Sequence, residues 1–446
     1  MRTIADHAQA LADGRTSSRT LVEACLARIT DPSGEGARAF VKVYADQAHA
    51  SADAMDRLRR VNRAPGPYAG IPVSLKDLLD VAGEPTPAGS RILADAPPAA
   101  AHAPVVARLL AAGFVPVGRT NMTEFAYSGL GLNPHYGTPL SPWDRANRRI
   151  PGGSSSGAAV SVADGMALAA IGTDTGGSCR IPAAYCGVVG YKPTARRVPI
   201  EGVLPLSPSL DSVGPLALSV SCCAIVDAVL AGSPPAPPVP PPLTDLRLAV
   251  AESVVLDGLD RAVAAAFDRA LGTLSKAGAK LTPARFAVFE ESQALNAAGG
   301  LSAAEAFAWH RQLLSEKGAL YDPRVRARIL RGERITTPDY IGLRAARARL
   351  IARFDASTAG FDAVLMPTSP ILPPRVSDLA DDQEYNRLNM LSLRNTALGN
   401  FLDRCAISLP CHRPGEPPVS LMLVGETMGD ARLFAIAAAV EAALAG

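Results

Sequence analysis

Apolar and polar positions alternate along this chain in two rhythms. Residues 45–60 follow the longer one, with acids early and arginines late, which predicts a helix whose end charges oppose its macrodipole. Ile71-Pro72-Val73-Ser74-Leu75 follows the shorter one and predicts a strand that delivers Lys76 and Asp77 at its end. An amphipathic helix is expected over 103–112, stopped by Gly113, and a strand over 114–118. A glycine- and proline-rich loop spans 129–151 and leads into a short small-residue helix over 156–165. The apolar run 167–172 reads as a buried strand. Further on, strands are expected at 246–251, 361–366, 406–409 and 419–424. Helices are expected at 260–277, around 290–317, at 337–356 and at 429–445. Strands alternating with helices from end to end predict an α/β fold, a mixed β-sheet core flanked by helices on both faces.

Residues 233–242 read Ser-Pro-Pro-Ala-Pro-Pro-Val-Pro-Pro-Pro, an extended surface connector between a helix ending near Ala231 and the strand at 246. Strands on both sides of it imply one shared sheet, so residues 1–446 are expected to form a single domain. With 48% hydrophobic and 19% charged residues the chain has the make-up of a globular protein with a large core. A net charge of +2 argues for neither a nucleic-acid nor an anionic-membrane partner. The arginines between Arg324 and Arg353 are interleaved with apolar residues at helical spacing and read as a solvated helix face. Seven cysteines at irregular spacing form no C-x-x-C pair and suit free thiols in a reducing cytoplasm. Six histidines without an H-x-x-x-H pair suggest no metal site. The N-terminus lacks a signal-type apolar region, and no apolar run reaches the roughly 20 residues that span a bilayer.

Two serine-glycine tracts carry the chemistry. The first is Gly152-Gly153-Ser154-Ser155-Ser156-Gly157; the second is Gly172-Thr173-Asp174-Thr175-Gly176-Gly177-Ser178-Cys179-Arg180-Ile181-Pro182. Glycines around a serine let backbone N–H groups approach a reacting carbonyl, as acyl transfer requires. A serine hydroxyl also needs a base. A G-x-S-x-G elbow centred on Ser155 would use a later histidine, but the charged, proline-terminated stretch before it is not the apolar strand an elbow needs. A lysine of lowered pKa is the other option, and Lys76, flanked by Leu75 and Leu78, is the candidate. On residue chemistry alone, an ordinary salt bridge from Lys76 to Asp77 or another acid is an equal reading.

The chain resembles the amidase signature family of serine hydrolases. The resemblance runs through Gly70 to Asp77, Gly118 to Phe125, Asn133-Pro134 with Tyr136-Gly137, Pro151 to Gly157 and Gly172 to Pro182. It continues through Cys186 to Thr194, Ser209 to Pro215, Met366-Pro367-Thr368 and Ala406 to Cys411, in order and nearly end to end. It implies Ser178 as acyl-forming nucleophile, Ser154 as bridging serine after a cis Gly153–Ser154 peptide, and Lys76 as base. It implies an oxyanion hole from the amides of Thr175, Gly176, Gly177 and Ser178. Ser155 would support the relay or cap the following helix. Asp174 and Arg180 would hold the loop, while Tyr127 and Cys179 are candidates for the substrate pocket.

The implied reaction is hydrolysis of a small carboxylic amide to acid and ammonia or amine, with no cofactor and no metal. Alternatives are an esterase using the same triad, or the glutaminase subunit of a tRNA-dependent amidotransferase. The stretch Leu391 to Thr396 lacks the acid expected of that subunit's glutamine pocket, and Asp403-Arg404-Cys405 stands where the family commonly has Gly-Leu-Pro. A homodimer is a family-level expectation.

Overall fold

The computed structural model describes residues 3–445. Eleven strands form one sheet: β1 Phe40–Val43, β2 Pro72–Lys76, β3 Val115–Thr120, β4 Ala169–Thr173, β5 Val189–Lys192, β6 Val213–Ala217, β7 Arg247–Ala251, β8 Lys280–Ala284, β9 Ala363–Pro367, β10 Ala406–Pro410 and β11 Ser420–Val424. Their order across the sheet is β1-β3-β2-β4-β6-β5-β10-β11-β9-β7-β8. β3, β2 and β4 run parallel, as do β9, β7 and β8, and an antiparallel stretch joins the two groups. The mixed sheet expected from the sequence is therefore present, and it continues across the 233–242 connector.

Helices cover both faces, which is why central strands such as β2, β4 and β6 are buried along their whole length. In β4, Ala169 and Ile171 pack into one core with Val220 and Ile225, while Ala170 packs into the opposite one with Ala158, Ala159 and Val162. In β9 and β11, Leu365 and Leu423 join the first core, and Met366, Met422 and Val424 a third. Most expected elements lie where the patterning puts them, including Ala45–Arg60, Pro104–Ala111 and Ser156–Ala163.

Two expectations need correction. The helix around 290–317 is two helices, Ala287–Asn296 and Gly300–Lys317, because Gly299 and Gly300 take φ of 120° and 59°, a conformation that breaks a helix. The arginines from Arg324 onward are only partly a solvated face. The helix Pro323–Leu330 turns Arg328 over the Tyr127 ring, 4.8 Å from its centroid.

The helix Ser156–Ala163 sits so close to its neighbours that Gly157 has no room for a Cβ, which would overlap Ala39 O and Asn121 N. Both are backbone atoms and cannot swing aside. Gly157→Ala should therefore lower unfolding stability by about 1–3 kcal/mol through overpacking, read as a reduced urea midpoint with unchanged slope.

Candidate active site

The parallel strands β2 and β4 are neighbours with Leu75 opposite Ile171, so Lys76 and Thr173 emerge side by side at their carboxyl ends. In open α/β sheets that is where loops build sites. Lys76 is completely buried, and its Nζ donates to Ser154 Oγ at 2.7 Å and to Thr173 Oγ1 at 2.8 Å. Among the described residues it forms no ion pair. Asp77 turns to Arg119 instead, accepting from Nε at 2.8 Å, which removes the salt-bridge reading for Lys76. Burial disfavours the ammonium and lowers the Lys76 pKa to about 8; Asp174 and Asp211 offset only part of that.

The first serine tract turns tightly before its helix. The Gly153–Ser154 peptide is cis, Gly153 N–H donates to Gly129 O at 2.8 Å, and Ser154 O accepts from Thr123 N–H at 3.1 Å. Ser155 does not cap the helix. Its hydroxyl donates to Thr173 O at 3.3 Å, and its N–H reaches Ser178 O at 3.2 Å, tying the two tracts together. No histidine bonds Ser155 among the described residues, so nothing here forms an elbow.

The second tract is organised by a buried ion pair. Arg180 meets Asp174 through Nη2 at 2.9 Å and Nε at 3.1 Å, and both are fully buried. Asn400 Nδ2 adds a bond to Asp174 Oδ1 at 2.9 Å. Burial by itself would raise the Asp174 pKa, but Arg180, Lys192 and Asn400 together outweigh it and the carboxyl is held at about 2. The same carboxylate accepts from Gly177 N–H at 2.8 Å and Cys179 N–H at 3.1 Å. The Gly177 amide is therefore committed, which corrects its expected place among the oxyanion donors. The amides of Thr175, Gly176 and Ser178 meet no acceptor among the described residues, and neither does Ser178 Oγ. The Thr175 hydroxyl donates to Asp211, fixing the loop from its other side.

Ser178, Thr175 and Gly176 open onto a cleft of about 530 Å³. Its two walls differ in origin. Strand ends and glycine loops make one; the helices Ala287–Asn296, Pro323–Leu330, Asp382–Arg394 and Thr396–Phe401 make most of the other. Tyr127 lines the cleft, turned there by left-handed backbone at Phe125 and Ala126. Cys179 does not. It is fully buried, its thiol pushed up by burial and donating to Gly214 O at 3.6 Å. Sequence reasoning passed over Thr173, Asp211 and Arg328. Thr173 stands inside the second tract and Asp211 inside a recognised segment, so both were within reach. Among the described residues, no three His, Cys, Asp or Glu side chains converge as a metal site needs.

The family model for amidases matches residues 20–434. The 2-amino-5-chloromuconic acid deaminase of Comamonas testosteroni is 39% identical over 401 residues, covering 89% of this chain and 86% of that protein. A glutamyl-tRNA(Gln) amidotransferase subunit from Chloroflexus aggregans is 34% identical over 469 aligned positions, covering 97% of this chain and 94% of that one. A crystal structure of an amidase superposes with a TM-score of 0.89 at 32% identity, covering 99% of both chains. The chain belongs to the amidase signature family. It is a hydrolase acting on the C–N bond of amides.

Removing one partner of the Asp174–Arg180 pair leaves a buried charge uncompensated. Arg180→Met should cost about 3–5 kcal/mol of unfolding stability, measured by urea denaturation; a loss within experimental error would show that the loop is held by other bonds.

Proposed function

We propose that Ser178 attacks the amide carbonyl and that Ser154 and Lys76 carry its proton. The observation that carries this reading is the 2.7 Å contact between Ser154 Oγ and Lys76, an amine buried without a carboxylate. A neutral lysine has two N–H donors and one lone pair. Thr173 Oγ1 takes one donor, and once the amine is neutral the 2.7 Å contact reverses, with the Ser154 hydroxyl donating to the lone pair. As Ser178 Oγ bonds to the carbonyl carbon, its proton passes to Ser154 and that of Ser154 to Lys76. The carbonyl oxygen becomes an oxyanion, for which the unpaired amides of Thr175, Gly176 and Ser178 are the available donors.

Collapse of the tetrahedral intermediate breaks the C–N bond. The relay runs backwards to protonate the leaving nitrogen, so that ammonia or amine departs neutral. Water then attacks the acyl-enzyme, gives its proton to the same relay and releases the carboxylic acid. Ser155 supports the relay by fixing Thr173 and Ser178 through its hydroxyl and amide.

The cleft favours a simple amidase over a glutaminase subunit. Glutamine carries an α-ammonium, and none of the described residues lining the cleft is an acid. We read residues 1–446 as one amidase domain in which 233–242 is a surface connector, supported by the sheet that continues across it. Seven free cysteines, six of them buried, support a reducing, cytoplasmic setting. No helix among the described residues is long and apolar enough to cross a membrane.

Incubation with a small fluorophosphonate should give one covalent adduct, mapped by mass spectrometry to Ser178 and absent from Ser178→Ala. An adduct on Ser155 would overturn the assignment. Lys76→Ala should lower kcat/KM by about 10²–10⁴-fold while leaving the protein folded.

Because only neutral Lys76 accepts a proton, a pKa near 8 sets the sign of the pH dependence. kcat/KM should rise about tenfold per unit up to roughly that pH and level off above it. A profile flat from pH 6 to 9 would remove Lys76 as the base.

A further inference from the structure

The cleft above Ser178 has an unusual charge balance. Four arginines line it, Arg328, Arg331, Arg387 and Arg394, and no lining residue among those described is an acid. Their partners separate them. Arg387 is spent on Glu384 in a two-pronged ion pair at 2.7 and 2.6 Å. Arg394 meets only neutral acceptors, Asn395 Oδ1 at 3.1 Å and Val255 O at 3.3 Å, with Asp257 acting on it from a distance. Arg331 donates to Ala297 O at 2.6 Å and has no carboxylate partner among the described residues. The Arg328 side chain makes no hydrogen bond to any described residue. Its Nε is buried without an acceptor, and its guanidinium lies over the Tyr127 ring.

A partly buried guanidinium with unused donors is costly unless something satisfies it. Stacking on Tyr127 holds its plane but takes none of its N–H groups. Three cations without carboxylate partners, on the wall facing a serine that attacks amides, suit a substrate that brings its own anion. A planar carboxylate matches the donor fork of an arginine better than a neutral amide or hydroxyl does.

Taking the Ser178 cleft as the site of acylation, we propose that the substrate is an amide carrying a carboxylate away from the scissile bond. Arg328 is the principal anion-binding residue, assisted by Arg331 and Arg394. The remaining walls, which include Leu206, Leu210, Met390 and Leu398, take a short hydrocarbon spacer between the two groups. Hydrolysis of such a half-amide on its acyl side yields a dicarboxylate, so the enzyme would follow a reaction that produces an acid amide and precede one that consumes a diacid.

The test is calorimetric binding of glutarate and adipate to the full chain, compared with the neutral diamides glutaramide and adipamide. The titrations use Ser178→Ala, so that neither the diamides nor their half-amide products are turned over. The diacid should bind at least about tenfold more tightly than its diamide, and less tightly as salt is added. Arg328→Met should erase most of that preference, and Arg331→Met, at an exposed position, should reduce it by about fivefold. Arg15→Met, whose arginine pairs with Asp13 outside the cleft, should change nothing. Equal binding of diacid and diamide, or a preference untouched by both cleft variants, would overturn the proposal. Diacid preference without fluorophosphonate labelling of Ser178 would instead remove the acylation reading and leave the anion site standing. Labelling without diacid preference would do the reverse.

Discussion

Everything in the site follows from burying one amine in a place where no carboxylate can reach it. An ammonium taken fully out of water is expensive, and a lysine escapes that expense by giving up its proton. β2 ends at Lys76, and alternation along an extended chain sends the next side chain, Asp77, to the other side. There Arg119 claims it. Had Asp77 paired with Lys76, the charged form would have been stabilised, and the amine could not serve as the base proposed above. The separation of two adjacent residues onto two faces is thus the step on which the proposed chemistry depends, and the hydroxyls of Ser154 and Thr173 complete the surroundings of the amine.

The loops around that amine are tied down by a buried carboxylate of their own. Asp174 is used several times over, as counter-ion to Arg180, as acceptor for the amides of Gly177 and Cys179, and as a partner of Asn400. One carboxylate thereby connects the glycine loop to the helix that follows it and to the helix Thr396–Phe401 in the distant C-terminal part of the chain. By drawing two amides towards itself it sorts the loop's donors into those that hold structure and those left facing the cleft. Asp211 does the equivalent for the Thr175 side chain. The close approach of backbones around Gly157 adds steric precision to this electrostatic frame.

Much of the arrangement is legible in the primary structure, and the exceptions have physical causes. β4 and β11 announce themselves because burial on both faces leaves largely apolar runs, and β2 through the alternation that ends at Lys76. β6 and β8 do not, since Pro215 and Pro283 interrupt their patterns, and β8 lies at the sheet edge where such a residue is tolerated. Lys76 and the two serine tracts could be found from residue type and neighbours. The commitment of Gly177 to Asp174 could not, because which amide a carboxylate selects is decided by loop geometry. Arg328 was hidden for a different reason. Helical spacing places it on a face, but only the tertiary fold reveals that the face meets Tyr127.

The two walls of the cleft belong to different parts of the molecule, and this has a bearing on how such enzymes diversify. The proposed reacting groups hang from strand ends and glycine loops, where a Cβ added at Gly153 or Gly157 would overlap backbone atoms. The opposite wall is carried by helices in the second half of the chain, several of whose cleft-facing side chains, Arg331, Arg387 and Met390 among them, are exposed and replaceable. Mutations can accumulate on that wall without touching the machinery across from it. A lineage, or a laboratory library confined to those helices, can therefore explore new acyl groups while inheriting the bond-breaking apparatus intact.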